Sequence, residues 1–338
     1  MKNSKYFLLP LAFALLQSCA ANLSYSGSPF KKSMESITSD ELKTHLYIVA
    51  GDEMEGRDTG SEGQKKAGRY LIEQYEKMGV SHPKAMTSYY QTIPSESLKG
   101  RRGNLPQSEN ILAFIEGTEK PNEVIVVSAH YDHVGMKDGE IYNGADDDGS
   151  GTVALLEMAE AFQMAKKDGN GPRRSILFLH VTGEEHGLLG SKYYADNPIF
   201  PMANTVADLN IDMIGRCDAA NCGKDYVYVI GSEMLSSELK KINEHANNET
   251  VKLELNYKYD DPNDKDRLYY RSDHYNFAKN GIPVAFFFDG IHEDYHKPTD
   301  TPDKIDYVAL KKRTQLVFAT AWELANRKDR IVVDKTVK

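Results

Sequence analysis

Apolar positions recur along this chain with two different periods. At helical spacing, Leu42, Leu46 and Val49 in "SDELKTHLYIVAGD" predict a helix opened by a capping signal. "SEGQKKAGRYLIEQYEKMGV" repeats the pattern with Ala67, Tyr70, Leu71 and Tyr75, and Gly79 supplies its stop. Residues 80–108 are rich in turn formers and show neither period. Beyond them, "EVIVVSAHYDH", "RSILFLHVT", "TVADLNIDMIG", "YVYVIG" and "IPVAFFFDG" read as apolar strands. "GSGTVALLEMAEAFQMAKK", "GLLGSKYYAD", residues 233–246, "SDHYNFAKNG" and "DYVALKKRTQLVFATAWELAN" alternate with them as helices. Continuously apolar strands are buried on both faces, so the pattern predicts an α/β fold: a three-layer α/β/α sandwich with a mostly parallel central sheet. No internal repeat appears, and residues 39–338 read as a single catalytic domain with no room for an inserted second one, although residues 80–108 could hold a small excursion.

The N-terminus breaks this pattern. Lys2 and Lys5 precede an apolar run over residues 6–16, which is too short for a stable membrane span. Residues 1–18 therefore read as a signal peptide. Leu16-Gln17-Ser18-Cys19 resembles a bacterial lipobox, which makes Cys19 the lipidated first residue of the mature chain. A soluble secreted protein cleaved nearby is the alternative. The Ser/Gly-rich residues 19–38 read as a tether, giving an exported lipoprotein of the cell envelope, periplasmic or outer-membrane associated. In that oxidising setting Cys217 and Cys222 favour a loop-closing disulfide over free thiols or a metal clip. Composition adds one exclusion. Among 338 residues, 40% are hydrophobic and 27% charged, ordinary for a globular domain, but a net charge of -9 argues against a nucleic-acid partner.

Ligand sites in such sheets lie beyond the carboxyl ends of the strands. Here the strands are followed by His130-Tyr131-Asp132, by Glu184-Glu185, by Asp212, and by a loop with His292 and His296. Asp146, Asp147 and Asp148 precede the first long central helix. One such residue would be a cap or a core polar group, but five acid- or imidazole-bearing loops at one edge point to metal. Imidazole and carboxylate without thiolate suit zinc. The donors outnumber the needs of one tetrahedral ion, and two ions about 3.5–4 Å apart, bridged by a carboxylate, would use five of them. The adjacent glutamates then divide the work: one binds metal and the other stays free as a general base.

"SAHYDH", "NGADDDGSG", "TGEEHGLLGS", "NIDMIG", "RSDHYNFAKNGIP" and "YHKPTDTPDKID" occur in the order and with roughly the spacing of the co-catalytic zinc aminopeptidases. The chain resembles that family, whose distant members include glutamate carboxypeptidase II and the glutaminyl cyclases, over about residues 40–327. "EMEGRDTGSEGQ" also looks like its N-terminal stretch. The resemblance implies a zinc-exopeptidase fold of the phosphorylase/hydrolase-like kind and two zinc ions. It implies His130 and Asp212 on one ion, Glu185 and His296 on the other, and Asp147 as the bridge. Asp132 would orient His130, Asp146 and Asp148 would cap or bond to backbone, and Asp300 would hold the His296 imidazole. Glu184 would be the base, and Tyr269, with Tyr270 as competitor, the partner of the tetrahedral oxyanion. Asp273 and His274 would support the site, and His133, His186 and His292 would be pocket-wall or hydrogen-bonded structural residues. The implied activity is hydrolysis of N-terminal residues from peptides. Carboxypeptidase action, single-zinc glutaminyl cyclisation and a non-catalytic binding module are the alternatives.

Overall fold

The computed structural model describes residues 25–100, 103–261 and 263–336; the signal peptide and Cys19 lie outside the described residues. One eight-stranded sheet organises the chain. Its strands are β1 (Tyr90–Ile93), β2 (Ser108–Ile115), β3 (Lys120–His130), β4 (Arg174–Val181), β5 (Thr205–Ile211), β6 (Tyr226–Ile230), β7 (Glu254–Asn256) and β8 (Val284–Phe288). Their spatial order is β1-β2-β4-β3-β5-β8-β6-β7. The middle four, β4-β3-β5-β8, run parallel, and antiparallel pairs flank them at β2–β4 and β6–β8.

The continuous apolar runs are explained by two separate cores. In β3, Ile125, Val127 and Ala129 face one of them, and Val124 and Val126 the other. The larger core receives α1 (Ser28–Ser36), α2 (Ser39–Val49), α3 (Glu62–Met78), α4 (Gly151–Lys167), α6 (Leu239–Glu249) and α8 (Tyr307–Asn326). The smaller is closed by α5 (Leu189–Asp196), α7 (His274–Ala278) and the loop carrying Tyr259 and Leu268. The α/β/α layering expected from the pattern is the layering found.

Two expectations need correction. The tether over 19–38 is not one along its second half: residues 28–36 form α1, opened by a proline in its first turn. Phe30 is buried against Phe318 and Trp322, and the Gln315 amide donates to the Met34 carbonyl at 3.0 Å. Burying one phenylalanine stabilises this docking by roughly 2–3 kcal/mol, enough to hold a short helix against a larger one. The helix expected over 233–246 begins later, at Leu239, because the Ser236 hydroxyl accepts from the Glu238 and Leu239 amides and starts the helix there. After β5, Cys217 and Cys222 are joined in a disulfide.

Candidate metal centre

The parallel strands deliver the candidate residues side by side. His130 ends β3, Asp212 follows β5 by one residue, Glu184 and Glu185 follow β4, and His296 lies in the loop after β8. Because β4, β3, β5 and β8 are neighbours in that order, their exits must meet at one edge. Asp147 reaches the same place from the turn Ala145–Ser150 that enters α4.

The donors fall into two groups that share Asp147. His130, Asp147 and Asp212 offer ligand atoms within 4.8 Å of one another, and so do His133, Asp147 and Glu185. His130 Nε2 is 3.2 Å from Asp147 Oδ1 and 3.7 Å from Asp212 Oδ1. On the other side, His296 Nε2 is 3.0 Å from Asp147 Oδ2 and 3.2 Å from Glu185 Oε2. His133 Nδ1 stands 2.8 Å from Glu185 Oε1 and 3.8 Å from Asp147 Oδ2.

Hydrogen-bond accounting shows that this donor set fits a metal. His130 Nδ1 is 3.0 Å from the Asp132 carbonyl oxygen, which can only accept, so Nδ1 carries the hydrogen. With the ring neutral, Nε2 presents a lone pair to two carboxylates, and three acceptors facing one another need a proton or a metal cation between them. His130 Nε2, Asp147 Oδ2, Glu185 Oε1 and both His133 nitrogens are buried without hydrogen-bond partners. Burial pushes the His130 ring down and Asp147, Asp212 and Glu184 more than reverse it. Burial and Asp147 push Glu185 up, but the imidazoles of His133 and His296 bring it down to about 2. Burial likewise raises Asp147, and His133, His130 and His296 hold it well below the usual carboxylate range.

Glu184 is the exception among the carboxylates. It lines the opening beside Asp147 and Asp212, and its side chain makes no hydrogen bond among the described residues. Burial pushes it well up; His130 opposes this, and Asp212, Glu185 and Asp273 reinforce it. Asp132 positions it: one carboxylate oxygen accepts from the Thr59 hydroxyl at 2.8 Å and the other from the Glu184 amide at 3.3 Å.

The surrounding network departs from the expected one in detail. The main-chain oxygen of Asp132, not its carboxylate at 3.9 Å, is the nearer partner of His130. Asp300 does not hold His296; it accepts from the Asp146 and Asp147 amides and so fixes the bridging loop. Asp146 accepts from the Gly215 amide at 2.6 Å and lies 3.2 Å from His292 Nε2. Asp148 accepts from Gly151 at 2.9 Å and Met213 at 3.2 Å, tying the helix entry to the loop after β5. His186 pairs with Asp58 at 3.0 Å, and His274 stacks on Phe286.

Tyr269 is not brought to the metal edge. It lines a separate cavity of about 820 Å³ with Glu233, Tyr259 and Asp264. The tyrosine at the metal opening is Tyr295, whose ring stacks on His296 at 3.9 Å. Burial, then Asp147, Asp212 and the two glutamates, raise its pKa far above the ordinary phenol value.

Tyr295 and Arg57 escaped the sequence reading, and His133, expected only as a pocket-wall or hydrogen-bonded structural residue, stands among the donors. Tyr295 was signalled only by adjacency to His296. His133, three residues after His130, is wholly buried against Gly144, where a Cβ would lie 2.4 Å from the imidazole Cγ and φ is +55°. Only glycine fits that position. Arg57, also wholly buried, donates to the carbonyls of Val49, Tyr131, Asn143 and Gly144 and so clamps the His130 loop to the Asp147 loop.

Residues 110–321 match the model of Peptidase family M28, and the chain belongs to that family. A probable leucine aminopeptidase of Trichophyton verrucosum is 27% identical over 302 residues, covering 87% of this chain and 76% of that one. A probable zinc metalloprotease of Pyricularia oryzae is 28% identical over 263 residues, covering 64% of this chain and half (50%) of that one. Among solved structures, LapB from Legionella pneumophila shares the fold with a TM-score of 0.70 at 21% identity, over 90% of this chain and 76% of LapB.

Proposed function

We propose that this M28 peptidase is a zinc-dependent aminopeptidase that holds two zinc ions and hydrolyses the N-terminal residue from peptides. One observation carries the reading: two donor groups share the Asp147 carboxylate while an unengaged Glu184 stands at their opening. His130 and Asp212 would hold one ion, Glu185 and His296 the other, with His133 close enough to compete for the second, and Asp147 would bridge them. Zinc bound there supplies Lewis acidity to the scissile carbonyl and the attacking water.

The chain's own groups do the rest. Glu184 takes a proton from the attacking water and delivers it to the departing amine. Asp132 keeps Glu184 aimed through the backbone amide. Tyr295, which lines the opening, would donate to developing negative charge on the substrate oxygen, the part expected of Tyr269. The names of the two curated relatives, a leucine aminopeptidase and a zinc metalloprotease, support zinc and a free substrate N-terminus.

The test is a panel of aminoacyl p-nitroanilides, their N-acetylated counterparts and a glutamine-initiated peptide, each with and without chelator. Free-amine substrates are expected to be cleaved, blocked ones spared, and activity lost to chelator and regained with zinc. Release of C-terminal residues from blocked peptides, or pyroglutamate formation without hydrolysis, would replace this reading.

We also propose export to the cell envelope through a lipid on Cys19, which the layout of residues 1–19 supports. Cys19→Ser is expected to move the protein from the membrane fraction to the soluble extract; unchanged membrane association would remove the anchor.

A further inference from the structure

The opening of the metal centre has an apolar wall, three carboxylates and one positively charged side chain. Met213, Leu268, Phe286, Phe288 and Tyr295 line it beside Asp147, Glu184 and Asp212. Arg271 is the only cation among the described lining residues. It is exposed, and its guanidinium makes no hydrogen bond, ion pair or ring contact among the described residues. Nearby arginines are engaged: Arg216 pairs with Asp294 at 3.0 Å, and Arg267 lies over the Tyr270 ring at 4.8 Å.

A free guanidinium in that wall is unfavourable for the reaction unless the substrate answers it. An aminopeptidase pocket must accept an α-ammonium, and a nearby positive charge repels it. A carboxylate on the substrate removes the conflict, since guanidinium binds carboxylate in a two-pronged, charge-assisted geometry. The apolar wall suits the methylenes that separate such a carboxylate from the reacting carbonyl.

We propose that Arg271 is a specificity-determining residue that recognises a carboxylate on the substrate, so that the enzyme favours peptides beginning with an acidic residue. This rests on the aminopeptidase reading for its site but not for its test. The same chemistry could be offered by the C-terminal carboxylate of a dipeptide, and the experiment separates the two.

Calorimetry on the zinc-loaded protein compares L-glutamate with isosteric L-glutamine, and kinetics compare their p-nitroanilides. The wild type is expected to favour the acid by about tenfold or more in both. Arg271→Leu should abolish that ratio, and Arg271→Lys should keep part of it. If the preference appears instead for Leu-Gly over Leu-Gly-amide, and disappears in Arg271→Leu, the recognised carboxylate is the dipeptide's C-terminus and the preference for an acidic first residue is overturned. No carboxylate preference in either comparison, or one that survives Arg271→Leu, overturns the proposal. Glutamate binding that depends on Arg271 in a protein that cleaves no anilide would keep carboxylate recognition by Arg271 and remove the aminopeptidase reading, with the preference for an acidic first residue that rests on it.

Discussion

Glu184→Gln is expected to lower kcat on an aminoacyl anilide by about 10²–10⁴-fold, the range a positioned general base contributes, while the zinc content stays at the wild-type level. The substitution keeps shape and removes the ability to take a proton. Glu184 belongs to neither donor group, so its loss leaves every proposed ligand in place. Its surroundings favour the role: burial and the charges of Asp212, Glu185 and Asp273 raise its proton affinity, which suits a group that must accept a proton and then release it. Glu185→Gln is the contrasting variant, because Glu185 lies within 3.2 Å of the His296 and His133 nitrogens. Elemental analysis beside the kinetics decides the matter. Zinc lost from Glu184→Gln and kept in Glu185→Gln would exchange the roles of the two glutamates.

The edge where chemistry collects was legible because it follows from topology. Once β3, β4, β5 and β8 are read as parallel strands, their exits are constrained to one side, and His130, Glu185, Asp212 and His296 travel with them. What could not be read was set by local geometry that leaves no periodic trace. Tyr269 sits in the 3₁₀ turn Leu268–Tyr270. In such a turn positions i and i+3 share a face, so Leu268 and Arg271 point together into the metal opening and Tyr269 turns to the next cavity. Counting residues back from Ser272 cannot reveal that phase. The same holds for Asp132, where a backbone oxygen and a side-chain oxygen compete for one imidazole hydrogen. The α1 helix was hidden for another reason: Phe30 and Ile37 are few apolar positions in a Ser/Gly-rich stretch, and the docking surface that orders them comes from α8, far away in sequence.

Asp147→Asn should be the most damaging single change to metal binding, because Asp147 alone belongs to both donor groups. One oxygen faces His130 at 3.2 Å and the other faces His296 at 3.0 Å. An amide keeps the volume but removes the negative charge and turns one oxygen into a donor that repels metal. The loss of activity should exceed the roughly 10–100-fold that accompanies removal of an outer-shell partner. Zinc per chain should fall from about two to below one, whereas His130→Gln, which touches one group, should lose about one. Thermal denaturation gives a second readout independent of turnover. Metal bound only by the folded state stabilises it by linkage, so chelator should lower the wild-type melting temperature and leave Asp147→Asn unmoved. An Asp147→Asn protein that holds wild-type zinc and still melts lower in chelator would show that the carboxylate bridges nothing, and the two-ion centre would have to be rebuilt on other residues.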